Sequence, residues 1–275
     1  MTKAENNAEE LIFDLGLTLP IIPKDVCDKL HSDSFTVNYQ EKKLNSTKLC
    51  GISIGSPESV EILINTSITN ESRRKFTTAH EIGHAVMHIQ TGLESQFECS
   101  KNDISGKENS NKTFEKEANE FASSLLMPKK LIGNKILRND LSWQLIQSIS
   151  KDCQTSLEAT ARRIVRLSDE ACVLIIHKNG AMWTPIKSPS FKTYINTIPF
   201  PRNLDTSPDL IGQELPETMY ECDTSDWLTD YKEIPEIIFY SSIKNEEYDR
   251  TMTLLLIPEI DEDDQDEWEE PKFSR

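Results

Sequence analysis

The sequence predicts an α+β protein, and three observations carry that expectation. An apolar, β-branched run, Val60–Asn65, reads as a sheet strand and is followed at once by a helix-patterned stretch from about 70 to 90. A second helical block runs from Thr113 to about Leu167. After Ser168 the pattern changes to short strands, opening with Ala171–His177, the turn Asn179-Gly180 and Ala181–Ile186, which together read as a β-hairpin.

Taken in order, residues 3–16 form an amphipathic helix with Ala8, Leu11, Ile12 and Leu15 on one side, ended by Gly16 and Pro20. Pro23 opens a second helix through Val26, Cys27 and Leu30. Strand-like runs follow at Phe35–Tyr39, Lys48–Ile54 and Val60–Asn65, with a turn at Gly55-Ser56-Pro57. Asn70 is a partial capping signal for the next helix. Thr91–Lys112, rich in Ser, Asn, Lys, Glu and Gly, reads as an exposed loop, either a lid or a plain insertion. Phe114, Ala118, Phe121, Ala122, Leu125 and Leu126 keep the helical period over Thr113–Met127, and Pro128 closes that helix. Leu141–Ser150 and Ser156–Leu167 continue the helical block, the latter with a capping box if Thr155 is the cap. Glu236–Ser241 and Arg250–Ile257 read as further strands.

Composition bounds the function. The chain of 275 residues is long enough for one large domain or two ordinary ones. Its net charge is -16, of which -7 falls in the tail from Glu259 to Arg275, where nine acids meet two bases. Such a balance disfavours direct nucleic-acid or anionic-membrane binding and favours a basic partner. The six cysteines are scattered without any C-x-x-C, which reads as reduced thiols in a cytoplasmic protein. The polar start carries no signal-peptide pattern, and no apolar run approaches the roughly 20 residues of a membrane span.

The chemistry centres on His80-Glu81-Ile82-Gly83-His84. Positions i and i+4 share a helix face, so His80 and His84 can grip one metal ion, with Glu81 close enough to act on a water beside it. This is the pattern of a zinc peptidase, in which zinc takes three protein ligands and Glu81 is the general base. His88 sits a turn too far along a straight helix to be the third ligand. The third ligand is expected on another helix, where Glu115, Glu117 and Glu120 compete. Glu115 leads, because Asn119 one turn on is placed to hold a ligand histidine by its other ring nitrogen.

Lys75-Phe76-Thr77-Thr78-Ala79-His80-Glu81-Ile82-Gly83-His84, followed by Glu115-x-x-Ala118-Asn119-x-Phe121-Ala122-x-x-Leu125-Leu126-Met127-Pro128, resembles the ImmA/IrrE family of zinc metallo-endopeptidases. The resemblance extends over roughly residues 5–195. It implies a zincin-like, gluzincin-type fold with His80, His84 and Glu115 as Zn2+ ligands, Glu81 as general base and Asn119 supporting a ligand. It also implies a protein substrate, a helix-turn-helix repressor of a phage, mobile element or stress response. The expected organisation is a metallopeptidase domain over 1–136, a helical, helix-turn-helix-like subdomain over 137–168, a smaller α+β C-terminal domain over 169–258 that senses a signal or binds substrate, and an acidic tail over 259–275.

Two other functions compete with this one. A zinc-containing protein that sequesters a repressor, or serves in a toxin–antitoxin pair, without cutting it would not need Glu81. Direct DNA binding by the 137–168 segment is disfavoured, since its five bases and three acids give only +2.

Overall fold

A computed structural model describes residues 1–46, 48–100, 103, 112–183, 185–196, 205–208, 213–229, 234–247 and 249–259. The chain divides into two units, one of Met1–Asp140 with Ile146–Arg163 and one of Leu141–Leu145 with Ile164–Arg275. Both helices and sheets are present, so the chain is α+β.

The first unit opens with helix α1 (Lys3–Asp14). Thr2 caps it: the Thr2 hydroxyl accepts from the Glu5 amide, and the Glu5 carboxylate accepts from the Thr2 amide at 2.8 Å. Gly16 follows with φ +58°, a left-handed step that ends the helix without the strain of a Cβ. Helix α2 (Pro23–Leu30) starts with proline in its first turn, where the missing N–H costs nothing.

Four strands then build one sheet: β1 (Thr36–Lys42), β2 (Leu49–Ser56), β3 (Ser59–Asn65) and β4 (Gln96–Ser100), in the order β1-β3-β2-β4. β1 runs parallel to β3, and β2 is antiparallel to both β3 and β4. β3 lies inside the sheet, which explains its near-continuous apolar run of Val60, Ile62, Leu63 and Ile64, all buried. Asn65 ends it and ties down the chain before β2, its amide donating to the Ser46 and Leu49 carbonyls at 3.1 and 2.7 Å.

Helix α3 (Glu71–His84) is capped by Asn70, whose side-chain oxygen accepts from the Arg73 amide at 2.8 Å. It does not run straight to residue 90. From Ala85 to Ile89 the backbone widens into one π-helical turn, a feature often found beside functional groups. Helix α4 (Lys112–Leu126) packs on α3 through Gly83, where a Cβ would come within 3.1 Å of Phe121 and 3.3 Å of the Ala118 backbone. Ile82, Phe121, Leu125 and Leu126 fill the space around this crossing. Helices α5 (Lys129–Leu137), α6 (Trp143–Cys153) and α7 (Leu157–Leu167) follow. Ser156 rather than Thr155 caps α7, accepting from the Ala159 amide at 3.2 Å, while Thr155 turns to the Thr160 hydroxyl at 2.7 Å. The helix starts one residue later than the capping-box pattern requires.

The exposed loop expected over 91–112 needs correction in its first half. Gln96–Ser100 is the edge strand β4, with Phe97 and Cys99 buried and Gln96 and Glu98 exposed. Five residues of alternation are too few to stand out against polar neighbours. Of the remainder, 101, 102 and 104–111 lie outside the described residues.

The second unit is a sheet in the order β6-β5-β11-β10-β8, with β7 on β5 and β9 on β10. Its strands are β5 (Ala171–Lys178), β6 (Ala181–Met182), β7 (Ile186–Lys187), β8 (Ser207–Pro208), β9 (Tyr220–Asp223), β10 (Ile237–Asn245) and β11 (Arg250–Ile257). Asn179 and Gly180 take φ +50° and +71°, the two left-handed steps of a tight hairpin turn. The expected strand Ala181–Ile186 is split in two, and Pro185, which has no N–H to give, lies in the break. Val173, Ile175, Trp227, Leu228, Ile238, Tyr240 and Leu255 form the core of this unit. Apart from Glu259, the acidic tail lies outside the described residues. Among the described residues, no helix is long and apolar enough to cross a membrane.

Candidate metal centre

The site is assembled by α3, α4, β2 and β4. His80 and His84 are fully buried, and their Nε2 atoms lie 3.0 Å apart. Glu115, on the first turn of α4, brings Oε2 to 3.1 Å from His80 Nε2 and Oε1 to 3.5 Å from His84 Nε2. When a proton sits on the facing ring nitrogens, its carboxyl is held at about 2: burial raises it, but the hydrogen bonds and charges of the two histidines then outweigh burial. A fourth donor, Cys99 of β4, lies 3.2 Å from His80 Nε2 through its sulfur. The ligand atoms of His80, His84, Cys99 and Glu115 all fall within 4.8 Å of one another. Donors around tetrahedral zinc, at bonds of about 2.0–2.3 Å, stand about 3.3–3.7 Å apart, so the set is close to closing on an ion of that size.

Residues 34–165, which hold all four donors, match the model of peptidase family M78, described as the IrrE N-terminal-like domain. These residues are an IrrE N-terminal-like domain. No curated protein matches the chain. Among solved structures, a transcriptional regulator of Mycobacterium tuberculosis is similar at 11% identity and a TM-score of 0.52, over 94% of this chain and 88% of that chain. At that identity the likeness is one of fold.

Hydrogen bonds around the IrrE N-terminal-like site fix how the histidines present themselves. Asn119 uses its amide nitrogen to donate to the Asp103 carbonyl at 3.0 Å, so the atom it turns to His80 Nδ1, at 3.1 Å, is its oxygen. His80 Nδ1 therefore carries the proton, and its Nε2 lone pair faces inward. The other histidine is set by a longer chain. His88 Nε2 donates to Glu117 Oε2 at 3.0 Å, which leaves His88 Nδ1 to accept from His84 Nδ1, also 3.0 Å away. Burial drives the His84 imidazole down to about 3 and lowers His88 as well, so both rings are neutral and His84 Nε2 also points its lone pair inward. Two lone pairs and a carboxylate thus converge on one point. Such a group repels itself unless a cation, a proton or a metal ion, stands among its members.

Sequence reasoning set His88 aside as a ligand and ranked Glu117 behind Glu115, and neither His88 nor Glu117 is among the four converging donors. Their role as supports was missed. The i+4 spacing from His84 to His88 was the available signal. Phe97 was missed too: its ring stacks on His84, with centroids 3.9 Å apart and planes 16° from parallel.

Glu81 points away from solvent toward β2. Ser53 Oγ donates to its Oε2 at 2.6 Å, and a Cβ on Gly51 would fall on its other oxygen. Glu81 is fully buried, which pushes its carboxyl above the usual range against the pull of His80 and Ser53. Cys99 is raised well above a normal thiol by burial and by the neighbouring Glu81 and Glu115 carboxylates.

Proposed function

We propose that this chain is a zinc-dependent endopeptidase of zincin-like organisation. Its expected substrate is a protein, a helix-turn-helix repressor. His80, His84 and Glu115 are read as the zinc ligands, Glu81 as the general base and Asn119 as the residue that orients His80. One observation carries the reading: two inward imidazole lone pairs and a carboxylate converge where a cation is required, beside a buried carboxyl with a raised pKa. Membership of residues 34–165 in a peptidase family supports it.

When bound, zinc supplies a Lewis acid that polarises a peptide carbonyl and acidifies water. Glu81, kept avid for protons by burial, takes the proton from the attacking water and returns it to the leaving amine. Ser53 holds the Glu81 carboxyl in orientation through its 2.6 Å bond. Asn119 and the pair His88 and Glu117 hold the two rings, so that little reorganisation is needed when charge develops.

The repressor substrate is supported by the family resemblance, and the net charge of -16 suits a basic partner. The cytoplasmic location is supported by six buried cysteines, none of them joined in a disulfide. We keep the boundaries 1–136, 137–168, 169–258 and 259–275 as the working organisation, with 169–258 as a sensing or substrate-binding domain.

Glu81→Gln is the test. It should retain zinc, as measured by metal analysis after gel filtration, while losing cleavage of the partner repressor. Undiminished cleavage by this variant overturns the assignment. A second reading, a non-catalytic zinc-containing binding protein, is favoured by a single observation, the fourth donor Cys99. Under it, mass spectrometry of the mixed partners finds no new peptide termini.

A further inference from the structure

Cys99 is not part of the ligand set read from the H-E-x-x-H pattern, yet the fold delivers it to the site deliberately. β4 is the edge strand, and its register with β2 sets Cys99 opposite Gly51 and Phe97 opposite Ser53. Gly51 and Ser53 both lie against the Glu81 carboxyl. The inward face of β4 therefore lies over the site, with Phe97 stacked on His84 and Cys99 Sγ 3.2 Å from His80 Nε2. Gly51 has no side chain, which leaves room for both the Glu81 carboxyl and the thiol across from it. The Cys99 sulfur is fully buried, next to Glu81 and Glu115. That is the space a water must occupy if Glu81 is to deprotonate it.

We propose that Cys99 is the fourth protein ligand of the metal and that β4 is the strap that delivers it. This rests on the reading of His80, His84 and Glu115 as zinc ligands. Binding forms one metal–sulfur bond, and the thiol proton passes to solvent. With four protein ligands the coordination sphere is closed, as in structural sites, and has no position for water. The form described here is then a latent one: cleavage requires Cys99 to leave the metal, by displacement of β4.

The test uses the full chain loaded with Co2+, whose spectrum reports its ligands without any need for catalysis. Wild type should show near-ultraviolet thiolate-to-cobalt charge-transfer absorption together with visible tetrahedral bands. Cys99→Ser, chosen to keep the volume of the site, should lose the former and keep cobalt bound through His80, His84 and Glu115. Competition with a chromophoric chelator should show zinc held at least about tenfold more weakly by Cys99→Ser than by wild type. Circular dichroism checks that the variant is folded, and Cys99→Ala repeats the comparison if it is not. Cobalt bound by wild type with no thiolate absorption overturns this proposal and leaves the peptidase reading standing. Thiolate absorption that survives in Cys99→Ser also overturns it, by assigning the sulfur to another cysteine. Failure of wild type to bind cobalt or zinc at all overturns both readings.

Discussion

Replacing Gly51 by Ala places a methyl group where the Glu81 carboxyl lies. The three heavy atoms nearest the new Cβ are all from Glu81, with its Cδ and Cγ at 2.8 Å and its Oε1 closer still. In an open site a carboxyl would swing aside. Here Glu81 is fully buried and held by Ser53 at 2.6 Å, so it must break that bond or push β2 away from α3. Overpacking of a tight site costs about 1–3 kcal/mol. In a unit of this size each kcal/mol moves the melting temperature by about 2–4 °C, so Gly51→Ala should melt about 2–12 °C lower. The cause can be isolated. Glu81→Ala removes all three clashing atoms, so adding Gly51→Ala in that background should cost almost nothing. It should even gain about 0.4–1 kcal/mol from the stiffer unfolded chain. Urea unfolding of wild type, both single variants and the double variant gives the coupling energy, expected at about 1–4 kcal/mol. Equal costs of Gly51→Ala in both backgrounds would refute the idea that this glycine exists to admit Glu81.

Asn119→Ala should weaken zinc binding about 10–100-fold in chelator competition, because His80 loses the acceptor that fixes its Nδ1 proton, and Glu115→Gln should weaken it further by replacing an anionic oxygen with a neutral amide. Equal affinity in Asn119→Ala and wild type would remove Asn119 from its supporting role. A pH effect is expected at α1, where Glu5 pairs with the buried Arg163. Burial raises the Glu5 carboxyl, but its bond from the Thr2 amide and the Arg163 charge more than offset this, and the net result lies below 4.5. A depressed carboxylate stabilises the fold above its unfolded value and loses that contribution as pH falls through the folded one. Stability of wild type should therefore fall more steeply below pH 4.5 than that of Glu5→Gln, as followed by urea midpoints across the acid range. Parallel curves would mean that Arg163 does not act on Glu5 in solution.

Much of the first unit was legible because its signals are local. The Val60–Asn65 run, the capping residue Asn70 and the helical period from Phe114 to Leu126 each announce an element within a few residues. The pairing of His80 with His84 follows from helix geometry alone. Glu115 and Asn119 were legible as a pair because i and i+4 share a face. Local signals failed where backbone geometry departed from the regular form. A straight helix to residue 90 was the natural expectation, but the π turn at Ala85–Ile89 carries His88 to the far side of the His84 ring, where it meets Glu117. The short strands β8 and β9 were missed for a related reason, since two to four residues carry no measurable period.

The sequence by itself determined the α+β class, the two histidines on one helix face, the carboxyl beside them and a small group of acidic residues that could join them. Tertiary structure decided which carboxylate faces the histidines, because that depends on the α3–α4 crossing at Gly83 and Phe121 rather than on spacing along either helix. It also decided that Cys99 belongs to the cluster. Cys99 is 19 residues from His80 and lies in a stretch read as loop. Only the pairing of β4 with β2, a long-range register set by backbone hydrogen bonds, turns its sulfur toward the site. Side-chain chemistry can be read from single residues, but convergence of four donors on one point is a property of the packed chain.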